Sequence, residues 1–444
     1  MGSPSRLVRA DLTADALFPL VRATFDAIPE TRTGPSTIPR GDALLSAFAM
    51  FSLKDPSLLA FDHRRRDPND HFRTVYGITR VPSDTQMRDL LDPVDPAALR
   101  PAFRDVFRRL QRDHVLDTFG YLGGQYLISV DGTNYFATTS DGIHCPECLV
   151  KRNRVGVVTH YHQMLGAAIV HPDHKEVIPL APEPIVNGDG HRKNDGERNA
   201  TRRWLRAFRR DHPRLPVLLV EDDLAANAPH LRDVRAARAG YLITVQPGDH
   251  KFLFDALFAD DAAGRTAILT TVDSDTGIVR HYRSHHGLSL NESNPDTRVS
   301  VLEYWEWSAV GDLQVFSWIT DQPLTPDTVY DVMRGGRARW TIENETFNTL
   351  KNQGYQFEHN YGHGKKHLSV VLAVLMILAF LVDQAQQIGC PAFRAAWAAC
   401  GTKRSLWDQI RAVFRLFAVT SMGAILRALA DRSVCPPLVP HNTG

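Results

Sequence analysis

The chain has 444 residues, of which 43% are hydrophobic and 9% aromatic, with 51 Lys and Arg against 50 Asp and Glu. There is enough apolar material for a large core, so whole-chain disorder is excluded, and five cysteines are too few for a disulfide-stapled scaffold. The net charge of +1 does not exclude a nucleic-acid partner, because affinity for DNA follows local clusters of Lys and Arg and these are unevenly distributed.

The first twenty residues hold no sustained apolar run of the kind a secretory signal needs, so a cytoplasmic, nucleoid-associated protein is expected. Residues 1–118 read as an all-helical, basic domain suited to DNA, with Arg64, Arg65 and Arg66 in its densest basic run. Helix starts are signalled at Ser83-Asp84, where either can cap, and at Asp95-Pro96. Two short helices joined this way, the second rich in arginine, would suit a helix-turn-helix-like contact; the alternative is a solvated basic face.

From Tyr126 the apolar period changes to that of strands, over 126–130, 156–171 and 176–185. A helix follows over 196–211, carrying Arg198, Arg202, Arg203, Arg206, Arg209 and Arg210. The apolar runs 215–221 and 241–245 are the mark of strands buried on both faces. Alternation returns over 266–318, predicting a β-rich insertion, and from Thr325-Pro326 to about residue 430 the pattern is helical, interrupted by the Gly-rich stretch 354–364. The longest apolar run, 370–382, is shorter than the roughly 20 residues that span a bilayer, which predicts a buried core helix. Cys390, Cys400 and Cys435 stand without chelating company, and the last ten residues read as a frayed tail.

Three acids stand at places where chemistry is expected. Asp131 falls where the first strand gives way to Gly-Thr, Asp222 and Asp223 end the buried strand before them, and Glu343 sits in the helix around RWTIENETFNTLKNQ. Carboxylates at the ends of adjacent strands, completed by one from a packed helix, are what a pair of Mg²⁺ ions needs. Each Asp taken alone is more often a turn residue. Glu345 is a weaker alternative acid, and Phe347 and Leu350 read as core.

The segments VDGTNYF, VEDDL and RWTIENETFNTLKNQGYQFEHNYGHGKKHL resemble bacterial insertion-sequence DDE transposases, in the branch with a β-rich insert before the catalytic Glu. The resemblance covers roughly 83–382 and implies an RNase H-like α/β fold, a mixed sheet with flanking helices. It assigns Asp131, Asp222 and Glu343 as the catalytic, metal-binding acids for Mg²⁺ or Mn²⁺, two ions in all, and Arg339 and Lys351 as DNA ligands. It further implies terminal inverted repeats and target DNA as substrates, and a homodimer on paired ends. Two positions depart from the family pattern: Gly336 stands where a Tyr is expected, and the Lys is the eighth residue after Glu343 rather than the seventh. In an α-helix that spacing turns Lys351 by about a quarter turn from Glu343. Asp223 stays an alternative second acid, if its strand ends one residue later. Arg339 also has a role of its own, because a guanidinium one turn from a catalytic carboxylate can grip a phosphate; the alternative is an ion pair with Glu343.

Cys145 and Cys148, followed by His160 and His162, give C-x2-C-x11-H-x-H, a candidate structural Zn²⁺ site because alternate strand residues face one way. The alternative is a loop with two free thiols. His359, His363 and His367 recur at helical spacing, but Gly362 and Gly364 argue against a helix there. A phosphate-contacting loop of Asn360, His363, Lys365 and Lys366 is expected instead.

The expected organisation is a DNA-binding domain at 1–118, a core at 119–262 with the Cys/His insertion near 141–162, and a β-rich insertion at 263–322. Core completion follows at 323–388 and a helical C-terminal region at 389–444. The expected activity is metal-dependent cleavage of transposon ends and strand transfer. The alternatives are a domesticated DNA-binding derivative that no longer transposes and a nuclease of the same fold. No Walker A loop or G-x-S-x-G elbow is present.

Overall fold

The computed structural model describes residues 12–30, 37–140, 142, 144–189, 193–431, 433–434 and 436–438. Cys435, most of the expected tail and the first eleven residues lie outside this set. The N-terminal segment forms helices α1 (Ala14–Asp26), α2 (Arg40–Ser52), α3 (Leu58–Arg64), α4 (His71–Tyr76), α5 (Asp84–Leu91) and α6 (Arg100–Arg112). Ser83 caps α5 in a full capping box: its hydroxyl accepts from the Gln86 N–H, and the Gln86 side chain accepts from the Ser83 N–H. Asp95 caps the 3-10 turn Pro96–Leu99 that leads into α6.

The sheet then begins with β1 (Gly120–Tyr121), β2 (Gln125–Thr138), β3 (Leu149–Arg152), β4 (Val158–His171), β5 (His174–Pro179) and β6 (Glu183–Ile185). The run expected as one strand over 176–185 is two, because Pro179 and Pro182 remove the amides that would continue the ladder. Helix α7 (Lys193–Asp211) leads to β7 (Val217–Glu221), α8 (Ala228–Ala236), β8 (Gly240–Thr244) and α9 (Lys251–Ala262). The expected β insertion is β9 (Ala267–Val272), β10 (Val279–Asn291), β11 (Asn294–Trp307) and β12 (Leu313–Thr320).

The twelve strands among the described residues make one mixed sheet, whose main order is β3-β4-β2-β7-β8-β12-β11-β10-β9. β2, β7 and β8 are parallel neighbours, and the other pairings are antiparallel. The insertion does not stand apart: β12 pairs with β8, Ile319 opposite Ile243, and so prolongs the core sheet.

Helix α10 (Val329–Arg337), a π-helical turn Ile342–Phe347 and α11 (Asn348–Asn352) follow, then a loop over 353–367. The chain ends in α12 (Leu368–Gly389), α13 (Pro391–Cys400), α14 (Lys403–Leu416) and α15 (Met422–Ala430). Helix α12 is long and apolar enough to cross a membrane, yet it is buried inside the protein. It packs on α2, every residue of which is buried. A helix buried all round has no face left to make a separate domain, so residues 1–118 share a core with the C-terminal helices. At the centre, Lys54 Nζ lies 2.6 Å from the Asp383 carboxylate and 4.1 Å from each of the Tyr355 and Trp407 ring centroids.

Candidate active site and candidate metal centre

Asp131 lies in the middle of β2 rather than at its end. The strand runs on to Thr138 because β4 pairs with it along its length, whereas its parallel neighbour β7 stops at Glu221. The parallel register sets Ser129 opposite Val220, so Asp131 and Asp222, each two residues further on, stand at the same level. Above them passes the turn that carries Glu343. It is held by the Ser129 hydroxyl, which donates to the Arg339 carbonyl (3.0 Å), and by Phe347, which lies against Gly166, the residue paired with Asp131 on β4. A Cβ on Gly166 would come within 2.7 Å of the Phe347 ring, so this approach needs a glycine.

The three acids reach one another electrostatically. Burial and the charges of Asp222 and Glu343 push the Asp131 carboxyl up to about 6, against the opposing pull of Arg339. Burial likewise raises Asp222. The choice between the two strand-end acids follows from their partners. Asp222 stays beside Asp131, one oxygen accepting from the Leu224 N–H (3.1 Å), while Asp223 is turned to His250, 2.7 Å away.

A fourth acid escaped the sequence reading. Glu197, near the start of α7, lies over β2 so closely that a Cβ on Gly132 would be 2.8 Å from its carboxylate oxygen. Burial, with the charges of Asp131 and Asp222, pushes it up to about 7. It lines a cleft of about 310 Å³ with Thr201, Glu221, Asp222 and His230. The one signal in the sequence was a Glu near the head of an arginine-rich helix, in a helix that must cross back over the first strand.

Arg339 is not paired with Glu343. Its Nη1 lies 3.9 Å from Asp131, its side chain is nearly buried, and its Nε is a buried donor with no acceptor among the described residues. Gly336, where the family pattern has Tyr, abuts the Trp318 indole, so no side chain fits there. The spacing of Lys351 has a structural explanation as well. A π turn bonds i to i+5 and takes up one residue more than an α turn, so eight residues across Ile342–Phe347 cover nearly the rotation of seven in an α-helix. Lys351 Nζ lies 3.0 Å from Glu358.

The arginines expected to meet DNA are largely engaged within the protein. Arg64 holds Asp55 with two guanidinium nitrogens and is mostly buried, Arg65 holds Asp62 (2.6 Å), and the exposed Arg66 also reaches Asp62. On α7, Arg202 pairs with Asp233, Arg203 with Glu183 and Asp189, and Arg209 donates to backbone carbonyls. Helix α6 is fastened too, by Arg100 to Asp211. Lys365 and Lys366 are exposed, and their backbone amides donate to the Asp92 carboxylate at the head of α12. Replacing Arg64 by Ala is expected to lower stability by about 3 kcal/mol, as for a broken buried pair, in a urea titration. It should leave the salt dependence of DNA binding unchanged; a slope smaller by about one would instead put Arg64 on a phosphate.

The Cys/His cluster differs from the expected ligand set in one member. Cys145, Cys148, His162 and His363 present ligand atoms all within 4.8 Å of one another, and His160 is not among them. Side chains two apart on a strand are separated by about 6.8 Å along it, and the two cysteines sit at the level of His162. His160 instead stacks on His144, with ring centroids 4.4 Å apart. His363, expected at a phosphate, turns inward to the cysteines, whereas His367 pairs with Glu147 and His359 lies against Tyr361.

No family model matches the chain, and no curated protein matches it in sequence.

Proposed function

We propose that the chain is a DDE transposase on an RNase H-like core, cutting DNA at the ends of an element and joining the freed 3′-hydroxyls to a target. The observation that carries the reading is the acidic site. Four carboxylates from separate parts of the chain, Asp131, Glu197, Asp222 and Glu343, meet over two parallel strands, with Arg339 beside Asp131. Burying like charges without a counter-charge is costly, and proteins keep such clusters where a cation binds. The strand order supports the reading as well: an antiparallel β2-β4-β5 meander, then α7, then parallel β7 and β8, and an acid-bearing helix after the insertion.

The donor set is all oxygen, which fits Mg²⁺ or Mn²⁺, with Asp131, Asp222 and Glu343 as the holding residues. Bound there, the ions would activate a water or 3′-hydroxyl and stabilise the leaving oxygen of a phosphodiester. Arg339, with its free buried Nε, is placed to grip a phosphate beside Asp131, and the exposed Lys365 and Lys366 to neutralise backbone phosphates farther along.

The reading is tested with the DNA that flanks the coding region. Labelled, pre-cut ends of its inverted repeats, incubated with a plasmid and Mg²⁺, should give joined products with the wild-type protein and none with Glu343→Gln. Hydrolysis without joining would make the chain a nuclease of this fold, and repeat binding without either reaction would make it a binding protein.

A further inference from the structure

We propose that Cys145, Cys148, His162 and His363 bind one Zn²⁺ ion, and that this ion fastens the loop leaving the Glu343 helix to the β2–β4 hairpin. Three of the four side chains are buried, and they come from two places far apart in sequence: a knuckle and strand β4, and the loop over 353–367. The two sulfurs are 3.7 Å apart, too far for a disulfide. His162 Nε2 lies 3.2 Å from Cys145 Sγ and 3.3 Å from Cys148 Sγ, and His363 Nδ1 lies 3.8 Å from Cys148 Sγ.

A tetrahedron decides whether these spacings suit a metal. With Zn–S of about 2.3 Å and Zn–N of about 2.0–2.1 Å, its edges are about 3.8 Å between sulfurs and about 3.5 Å between sulfur and nitrogen. The four separations given fall within about 0.3 Å of those edges, and the other two of the six lie within 4.8 Å, so drawing His363 inward completes the tetrahedron. Hard ions are excluded by the two sulfurs, and two thiolates with two neutral imidazoles leave a Zn²⁺ centre uncharged, as a buried site requires.

The surroundings are those of a built site. The Cys145 N–H donates to Cys148 Sγ (3.3 Å), Tyr135 stacks on the His162 ring, and Phe136 meets the His363 ring edge-on at 4.3 Å. The same two segments meet a second time where His367 pairs with Glu147, inside the knuckle. A long loop without regular structure needs such anchors to hold one conformation. Its end is fixed by Asp92 at the head of α12, and the zinc would fix its middle.

The metal assignment and the fastening of the loop stand apart from the transposase reading. The test therefore uses no DNA. Protein purified without chelator, or reconstituted with Zn²⁺ under reducing conditions, should carry about one zinc per chain by elemental analysis. The Co²⁺-substituted protein should show tetrahedral d–d bands and thiolate-to-cobalt absorption.

His363→Ala should weaken zinc binding by about 100-fold or more, while His160→Ala should retain it. His363 lies on a loop, so its replacement keeps the test open even if the cysteine variants fail to fold. Chelation should speed hydrogen exchange over 353–367. Absence of bound zinc after reconstitution, or a site lost with His160 and kept without His363, would overturn the assignment. Unchanged exchange after zinc removal would overturn the fastening role.

Discussion

Replacing Asp131 by Asn is expected to lower Mg²⁺-dependent DNA cleavage by about 10³-fold or more while making the metal-free protein more stable. The first effect follows from the proposed function, in which Asp131 would be a charged ligand at a site where metal ions can supply several kcal/mol of transition-state stabilisation. The second follows from the electrostatics. The Asp131 carboxyl is raised to about 6 by burial and by Asp222 and Glu343, and Arg339 does not offset this. At pH 7 to 8 it is charged against that opposition, which costs the fold about 3 kcal/mol. An isosteric amide removes the charge and keeps the shape.

The same energetics fix the sign of the pH dependence. Asp131 and Glu197 have folded-state values of about 6 and about 7, both above those of the unfolded chain. The folded state therefore binds protons more tightly. Their contribution to stability is fully present below pH 4 and is lost as the pH rises through 6 and 7. Melting temperatures in EDTA should fall between pH 5 and 8, Asp131→Asn and Glu197→Gln should each flatten that fall, and Mg²⁺ should reverse it in the wild type by mass action. A wild-type protein that melts higher at pH 8 than at pH 5 in EDTA, or an Asp131→Asn variant that melts lower, would show that the cluster is not held charged against repulsion.

What could be read in the sequence, and what could not, divides by range. Caps at Ser83 and Asp95, the all-apolar strand ending at Glu221 and the buried run at 370–382 are local signals, and the structure has each where the pattern puts it. Asp222 follows its strand as the local pattern puts it, whereas Asp131 lies within β2, because the pairing that carries the strand on to Thr138 comes from β4 and is not local. Glu197 and His363 were not legible, because each reaches its site only through tertiary packing: α7 crosses β2 at Gly132, and the 353–367 loop folds back on the knuckle. The i, i+2 rule puts His160 and His162 on one face, but a shared face says nothing of which ring reaches the cysteines, and the His160 ring is stacked on His144 instead. The spacing of Lys351 looked anomalous because an α-helical period was assumed through a segment that is π-helical. The arginine clusters show the opposite limit: a sequence shows charge without showing the carboxylates, such as Asp55 and Asp62, that fold back onto it.

Gly166→Val tests whether the placement of Glu343 depends on the packing beneath it. Valine is a better strand residue than glycine, so propensity alone forecasts a small gain in stability. The structure forecasts the reverse. Gly166 faces the Phe347 ring, four residues along the chain from Glu343, and a Cβ there would come within 2.7 Å of two ring carbons. The ring belongs to the π turn that carries the acid, so relieving the clash moves the acid. Overpacking of this kind costs about 1–3 kcal/mol, and a displacement of about 1 Å at a reacting centre costs about 100-fold in rate. Gly166→Val should therefore lose about 1–3 kcal/mol in a denaturant titration and about 100-fold in cleavage, with DNA affinity little changed. Adding Phe347→Leu, which shortens the side chain that clashes, should recover stability and part of the activity, a coupling absent between residues that do not touch. If Gly166→Val cleaves as fast as the wild type, the position of Glu343 is not set through Phe347, and the Ser129 hydroxyl bonded to the Arg339 carbonyl becomes the element that sets it.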